Sequence, residues 1–149
     1  MSEQTSNRMR ALRPFESRDY RLLFMAVGIE VFGTGMWTIV MVFQVLALDD
    51  SPLALSAVAT GMSLGLFLFS IFGGVVADRF SKRKIIITVQ GLTAAMMTGV
   101  AILSMTGTIE LWHVGAASFV MGAGSAFFYP AYSAYLPHVL PPEQLLAAN

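Results

Sequence analysis

The chain of 149 residues has no cysteine, little charge, and no Lys or Arg outside two short stretches. Without cysteine there can be no disulfide and no thiolate metal site. Charged residues make up 12% of the chain, about half of the ~25% usual in a soluble domain. No phosphate-cradling Gly-rich loop ending in Lys-Ser or Lys-Thr is present, so no ATPase module is visible. No His-Glu metal spacing and no nucleophile–base pairing stands out. Neither a cofactor nor enzyme chemistry is expected. The basic stretches lack interleaved aromatic residues on which bases stack, which argues against nucleic-acid binding. The first twenty residues hold no apolar core and no small-residue cleavage site, so no removable signal peptide is expected.

What the chain has in quantity is apolar sequence: 56% hydrophobic residues and a mean hydropathy of +0.68. Four apolar runs, at about 22–46, 53–77, 85–105 and 111–132, reach the ~20 residues a membrane-crossing helix needs. No alternation of period two persists along them, which disfavours barrel strands. The expected fold is an all-α membrane protein. Residues 1–20 form a cytoplasmic tail, 21–132 carry four transmembrane helices, and 133–149 form a cytoplasmic segment.

The nine Lys and Arg residues set the orientation. Arg8, Arg10, Arg13, Arg18 and Arg21 precede the first run, and Arg79, Lys82, Arg83 and Lys84 lie between the second and third. Cationic loops stay in the cytoplasm during insertion, so the N-terminus and this loop are expected inside. The connectors contain helix-start signals: Ser51 is a good N-cap and Pro52 suits the first helical position. Trp112 is read as an interfacial anchor, and Tyr129, Pro130, Tyr132 and Tyr135 as the inner end of the fourth helix.

Small residues recur at spacing four. Ala57, Gly61 and Gly65 form one row, and Gly91, Ala95 and Gly99 another. Such rows let helix backbones approach where lipid offers no hydrophobic drive for association; they serve static packing or helices that slide during a transport cycle. Gly33 and Gly35 lie near the middle of the first run, and Gly122 and Gly124 near the middle of the fourth. Gly-interrupted spans at corresponding places in two repeats point towards a midplane substrate site.

Glu30 is the one acid within an apolar run. It lies about 6 Å from the expected midplane, on the cytoplasmic side. An ionised carboxylate there costs at least about 3 kcal/mol, so such residues face an interior cavity. Glu30 is the candidate contact for substrate or proton. The plainer reading is a neutral carboxyl hydrogen-bonded to a neighbouring helix. Gln44 and Gln90 are read as polar bonds across helices.

The segment GGVVADRFSKRK, residues 73–84, resembles the signature loop of the major facilitator superfamily. Gly74, Asp78 and Arg79 match its pattern directly, and Arg83 keeps a basic position. Ser81 stands where the family usually has Gly, and Lys82 where it usually has Arg. The phrases GTGMW, SPLAL and GAGSAFFYPAYSAYLPHVLPPEQLLAAN follow in the order expected of the bacterial members that export macrolides and siderophores. The resemblance implies the first part of a six-helix half, and rocking of two halves about a central site. It implies efflux of a small molecule, a bilayer as solvent, and further helices as partners. It also implies that Asp78 acts as a cytoplasmic latch, with Lys82 or Arg83 as local partner and Gly74 allowing close approach. Proton antiporters of the family often have an arginine in the fourth helix; Ser118 occupies that place here. The ending resembles the lead into a fifth helix, so the chain reads as the first third of a transporter, inactive alone. The competing reading is a self-standing four-helix membrane scaffold.

A cysteine-free chain permits a clean topology test. In intact cells, a membrane-impermeant maleimide should label Asp50→Cys and leave Lys82→Cys untouched. Labelling at 82 alone would invert the map.

Overall fold

The computed structural model describes residues 17–139. It consists of four long helices: α1 (Arg18–Leu48), α2 (Pro52–Arg79), α3 (Lys82–Met105) and α4 (Leu111–Val139). All four are long and apolar enough to cross a membrane. At about 1.5 Å per residue, even the shortest exceeds the ~30 Å hydrocarbon layer.

The helix starts follow local chemistry. The Ser17 hydroxyl accepts the Tyr20 N–H at 3.4 Å, and the Ser51 hydroxyl accepts the Ala54 N–H at 3.2 Å. Each satisfies a backbone donor that has no partner within its helix. The Asp49 carboxylate accepts the Ser51 N–H at 2.8 Å. Hydrogen bonds from Ser51 hold that exposed carboxyl below its ordinary range. The turn between α3 and α4 needs Gly107, whose φ of 70° lies in the left-handed region.

Two apolar clusters mark the ends of the bundle. Leu23 of α1, Ala77 of α2, Ile85 and Ile86 of α3, and Phe128 and Ala131 of α4 meet at one end. Arg18, Arg21, Arg79, Lys82, Arg83 and Lys84 belong to these same helix termini, so this is the basic end. Trp37, Met41 and Val45, Ala54 and Val58, Val100, and Val114, Ala117 and Met121 meet towards the other. Asp49, Asp50 and Glu110 lie in its connectors, making it the acidic end.

The central helix is α4. It packs against all three others, most extensively against α2. In its most apolar stretch 44% of residues are buried, against 11–22% in the other helices. The contacts of α2 and α4 run in the same direction. Gly61 lies against Gly115, Gly65 against Phe119, and Gly73 against Ala126. A Cβ at Gly65, Gly73 or Gly122 would overlap the carbonyl of Phe119, Ala126 or Met62 respectively. Such approach places glycine Cα–H groups on carbonyls of the facing helix, a contact recurrent in membrane bundles. Gly124 turns the other way, its Cβ position 3.3 Å from Val89 of α3.

The fourth helix does not end near residue 132, where the sequence placed the start of a cytoplasmic segment. It continues through Pro130 and Pro137 to Val139. The physical reason is burial: Tyr132, Tyr135 and Leu136 pack on the basic-end cluster. Pro130 has no N–H for the Ala126 carbonyl, and that carbonyl lies against Gly73 of α2. The helix keeps its course because a neighbour meets the group that proline leaves free. Arg18, Asp19 and Tyr20, placed in the tail, form the first turn of α1. Arg8, Arg10, Arg13, Pro141 and Pro142 lie outside the described residues.

The seam predicts a sharp contrast. Gly65→Ala and Gly122→Ala should each destabilise the bundle by about 1–3 kcal/mol through overpacking. Gly35→Ala, with nothing within 4 Å of its Cβ position, should be neutral or stabilising by up to about 1 kcal/mol. Reversible unfolding in mixed detergent measures the difference.

Candidate functional site

Glu30 is buried in α1, with 6% of its surface exposed. One of its carboxylate oxygens, Oε2, accepts a hydrogen bond from Gln90 Nε2 of α3 at 2.9 Å. Both residues line a recess of about 360 Å³, with Gly33 and Thr34 of α1, Thr93 and Met97 of α3, and Met121 of α4. A buried carboxyl needs such partners, because a charge left alone in a low dielectric is costly.

A second bond lies further along the same pair of helices. Ser104 Oγ of α3 donates to Gln44 Oε1 of α1 at 2.8 Å. From Glu30 to Gln44 is 14 residues, and from Gln90 to Ser104 is also 14. The two helices therefore run parallel and in register, tied at two depths about 21 Å apart. Fourteen residues are two heptads, the spacing at which one face returns to its partner in a left-handed helix pair. Sequence reading treated Gln44 and Gln90 as inter-helix bonds but did not assign their partners. The equal spacing of the four polar residues was the available signal.

Between the two ties lies a second recess of about 430 Å³, lined by Gly33, Trp37, Gln44, Met97 and Ser104 among others. Trp37 is buried, and its indole N–H has no hydrogen-bond partner among the described residues. The Ser118 hydroxyl is likewise buried without a partner. Ser118 lies on the α2 seam, its Cβ 3.9 Å from the Cβ position of Gly61, so it faces a helix and not a recess.

The glycines separate into groups. Gly61, Gly65 and Gly122 are buttressed by backbone of the facing helix, and Gly124 by a side chain of α3. Gly73, missed in the sequence, belongs to this group; it continues the spacing-four series through Ala57, Gly61, Gly65 and Phe69. Gly33 lines both recesses, and the Met97 methyl lies 4.0 Å from its Cβ position. Gly35, Gly74, Gly91 and Gly99 have nothing within 4 Å.

The loop residues gather at the basic end. Asp78 and Arg79 close α2, and Lys82 and Arg83 open α3, with only Phe80 and Ser81 between. Ser81 adopts φ −62°, a backbone any residue takes, so the turn does not require glycine there. Asp78 is exposed and forms no ion pair with Lys82 or Arg83.

Comparison with known proteins gives this arrangement a setting. Residues 9–149 match the family described as "Transmembrane secretion effector". The chain is 34% identical over 94 residues to "Macrolide efflux protein A" of Enterococcus faecalis, covering 60% of this chain and 29% of that protein. It is 33% identical over 85 residues to "Macrolide efflux protein A" of Streptococcus pyogenes, covering 55% of this chain and 21% of the relative. It is 33% identical over 94 residues to "Multidrug resistance protein MdtH" of Salmonella paratyphi B, covering 60% and 22% respectively. The matched stretches thus span less than a third of these relatives. No solved structure matches the chain. With its four membrane-length helices and a match over nearly its whole length, the chain belongs to the transmembrane secretion effector family of the major facilitator superfamily.

Proposed function

We propose that these four helices act within a secondary transporter that exports lipophilic, cationic small molecules by alternating access, with Glu30 as contact for substrate or proton. The observation that carries this reading is the burial of Glu30 beside an apolar recess, held by a single amide from α3. A carboxylate so placed attracts a cation and releases it on protonation, because only one of its two states is charged. Relatives named for macrolide efflux and multidrug resistance agree with export of a small organic molecule.

In this reading the basic end faces the cytoplasm. Its six described cations (Arg18, Arg21, Arg79, Lys82, Arg83 and Lys84) are retained there during insertion. Gly74, Asp78, Arg79, Lys82 and Arg83 form the latch loop. The exposed carboxylate of Asp78 is open to a helix N-terminus in the other half of the transporter, where the dipole favours an anion. A contact made only when the cytoplasmic side is closed biases the protein towards the outward-facing state. The parallel pair α1 and α3, tied at two depths, moves as one unit when the halves rock.

The test is Glu30→Gln in the complete transporter, assayed for efflux of a fluorescent lipophilic cation at several pH values. Efflux should fall by about tenfold or more, the worth of one charge-assisted contact, with the amount of protein in the membrane unchanged. Export equal to that of the parent at every pH would remove Glu30 from the mechanism.

A further inference from the structure

The recess beside Glu30 is lined by oxygen atoms that the bundle itself leaves without partners. Glu30 Oε2 accepts from Gln90 Nε2, but Glu30 Oε1 and Gln90 Oε1 make no hydrogen bond among the described residues. Neither atom is sealed inside the protein, and both residues line the recess. Thr34 of α1 and Thr93 of α3 line it as well, and their hydroxyls also make no hydrogen bond among the described residues. Other helical threonines behave differently. Thr38, Thr60 and Thr98 each donate to the carbonyl four residues back, at 2.9, 2.7 and 2.8 Å, the ordinary use of a hydroxyl inside a helix. Thr34 follows Glu30 by four residues and Thr93 follows Gln90 by three. Each threonine therefore shares a helix face with its polar neighbour, one turn nearer the acidic end. By helix rise the two threonines lie about 5–6 Å along the bundle from the Glu30–Gln90 bond.

We propose that this recess selects a protonated primary amine on an apolar body, its three N–H groups going to Glu30 Oε1 and to the hydroxyls of Thr34 and Thr93. The inference rests on Glu30 as the contact for a cationic substrate, and adds Thr34 and Thr93 as the residues that set specificity. Charge alone does not explain the oxygens. A quaternary ammonium brings the same charge but no N–H, so it would strip water from the two hydroxyls and the free carboxylate oxygen without replacing the bonds. A bare metal ion would leave the apolar walls unused, and no group of three or more His or acidic side chains suited to a metal occurs among the described residues. The apolar body has a place to go. Gly33 and Met97 line both this recess and the neighbouring one, which Met36 and Trp37 also line. Thioethers pack well on aromatic ring edges, so an aromatic body fits there. The four oxygens belong to α1 and α3, and are present whichever further helix closes the open side.

Equilibrium binding to the complete transporter in detergent provides the test, read by the fluorescence anisotropy of 2-(1-naphthyl)ethylamine and of its N,N,N-trimethyl analogue. The primary amine should bind about tenfold more tightly than the quaternary compound, a difference of one charge-assisted hydrogen bond. Thr34→Val and Thr93→Val, which keep the side-chain shape, should each narrow that preference about fivefold by weakening the primary amine alone. Thr34→Ser should retain it. Thr38→Val, whose hydroxyl is already bonded within α1, should leave it unchanged. Equal binding of the two compounds, tighter binding of the quaternary one, binding of neither, or a preference that survives either valine variant in the recess would overturn the proposal. Glu30→Gln tells this failure from that of the reading beneath it. If Glu30 contacts the cation, the variant weakens both compounds, whichever of them the parent prefers; if both bind the variant as they bind the parent, Glu30 is not the contact and both readings fall.

Discussion

The close approach of α2 and α4 is the constraint on which the bundle depends. Apolar side chains gain little by leaving lipid tails for one another, so helices in a bilayer need contacts that lipid cannot match. Here the contact is backbone on backbone. Glycines at 61, 65 and 73 of α2 and at 122 of α4 bring the two main chains together over more than three turns. The same seam accommodates Pro130, since the carbonyl it leaves without an N–H meets a glycine Cα. With α4 pinned to α2, Gly124 sets the distance to α3 from its other side.

The polar groups in the apolar layer play a different part. Glu30 with Gln90, and Gln44 with Ser104, join α1 to α3 by side chains where the backbones remain further apart. Side-chain ties of this kind fix register without demanding the intimacy of the glycine seam. They leave recesses beside them, and the candidate site occupies one. A rigid glycine-packed pair next to a looser, hydrogen-bonded pair gives the bundle a fixed side and an open side. The unpartnered Trp37 indole and Ser118 hydroxyl sit one on each.

Much of this was legible in the sequence. Segregated charge, four apolar runs, the Ser51-Pro52 start and the loop around Asp78 pointed to the family and to its helices. Glu30 stood out because an acid in an apolar run is costly. Spacing alone could not say which glycine row has a partner: Ala57, Gly61 and Gly65 promised no more than Gly91, Ala95 and Gly99, and only the first row belongs to the seam. Gly73 was hidden because Phe69 interrupts the series. Pro130 looked like an ending because a proline in isolation breaks a helix; its compensation lies on another helix, 57 residues earlier, and no local rule reaches that far. The partners of Glu30 and Gln44 were obscured for the same reason, each lying 60 residues away.

The parallel glycine seam is tested most directly by a disulfide across it. The Cβ positions of residues 61 and 118 are 3.9 Å apart, within the span of a relaxed disulfide, and the parent chain has no competing cysteine. In membranes treated with a mild oxidant, the double variant Gly61→Cys with Ser118→Cys should form an intramolecular disulfide nearly to completion, while Gly35→Cys with Ser118→Cys should not. Free thiols at 61 and 118 under those conditions, or equal cross-linking of the two pairs, would contradict the account.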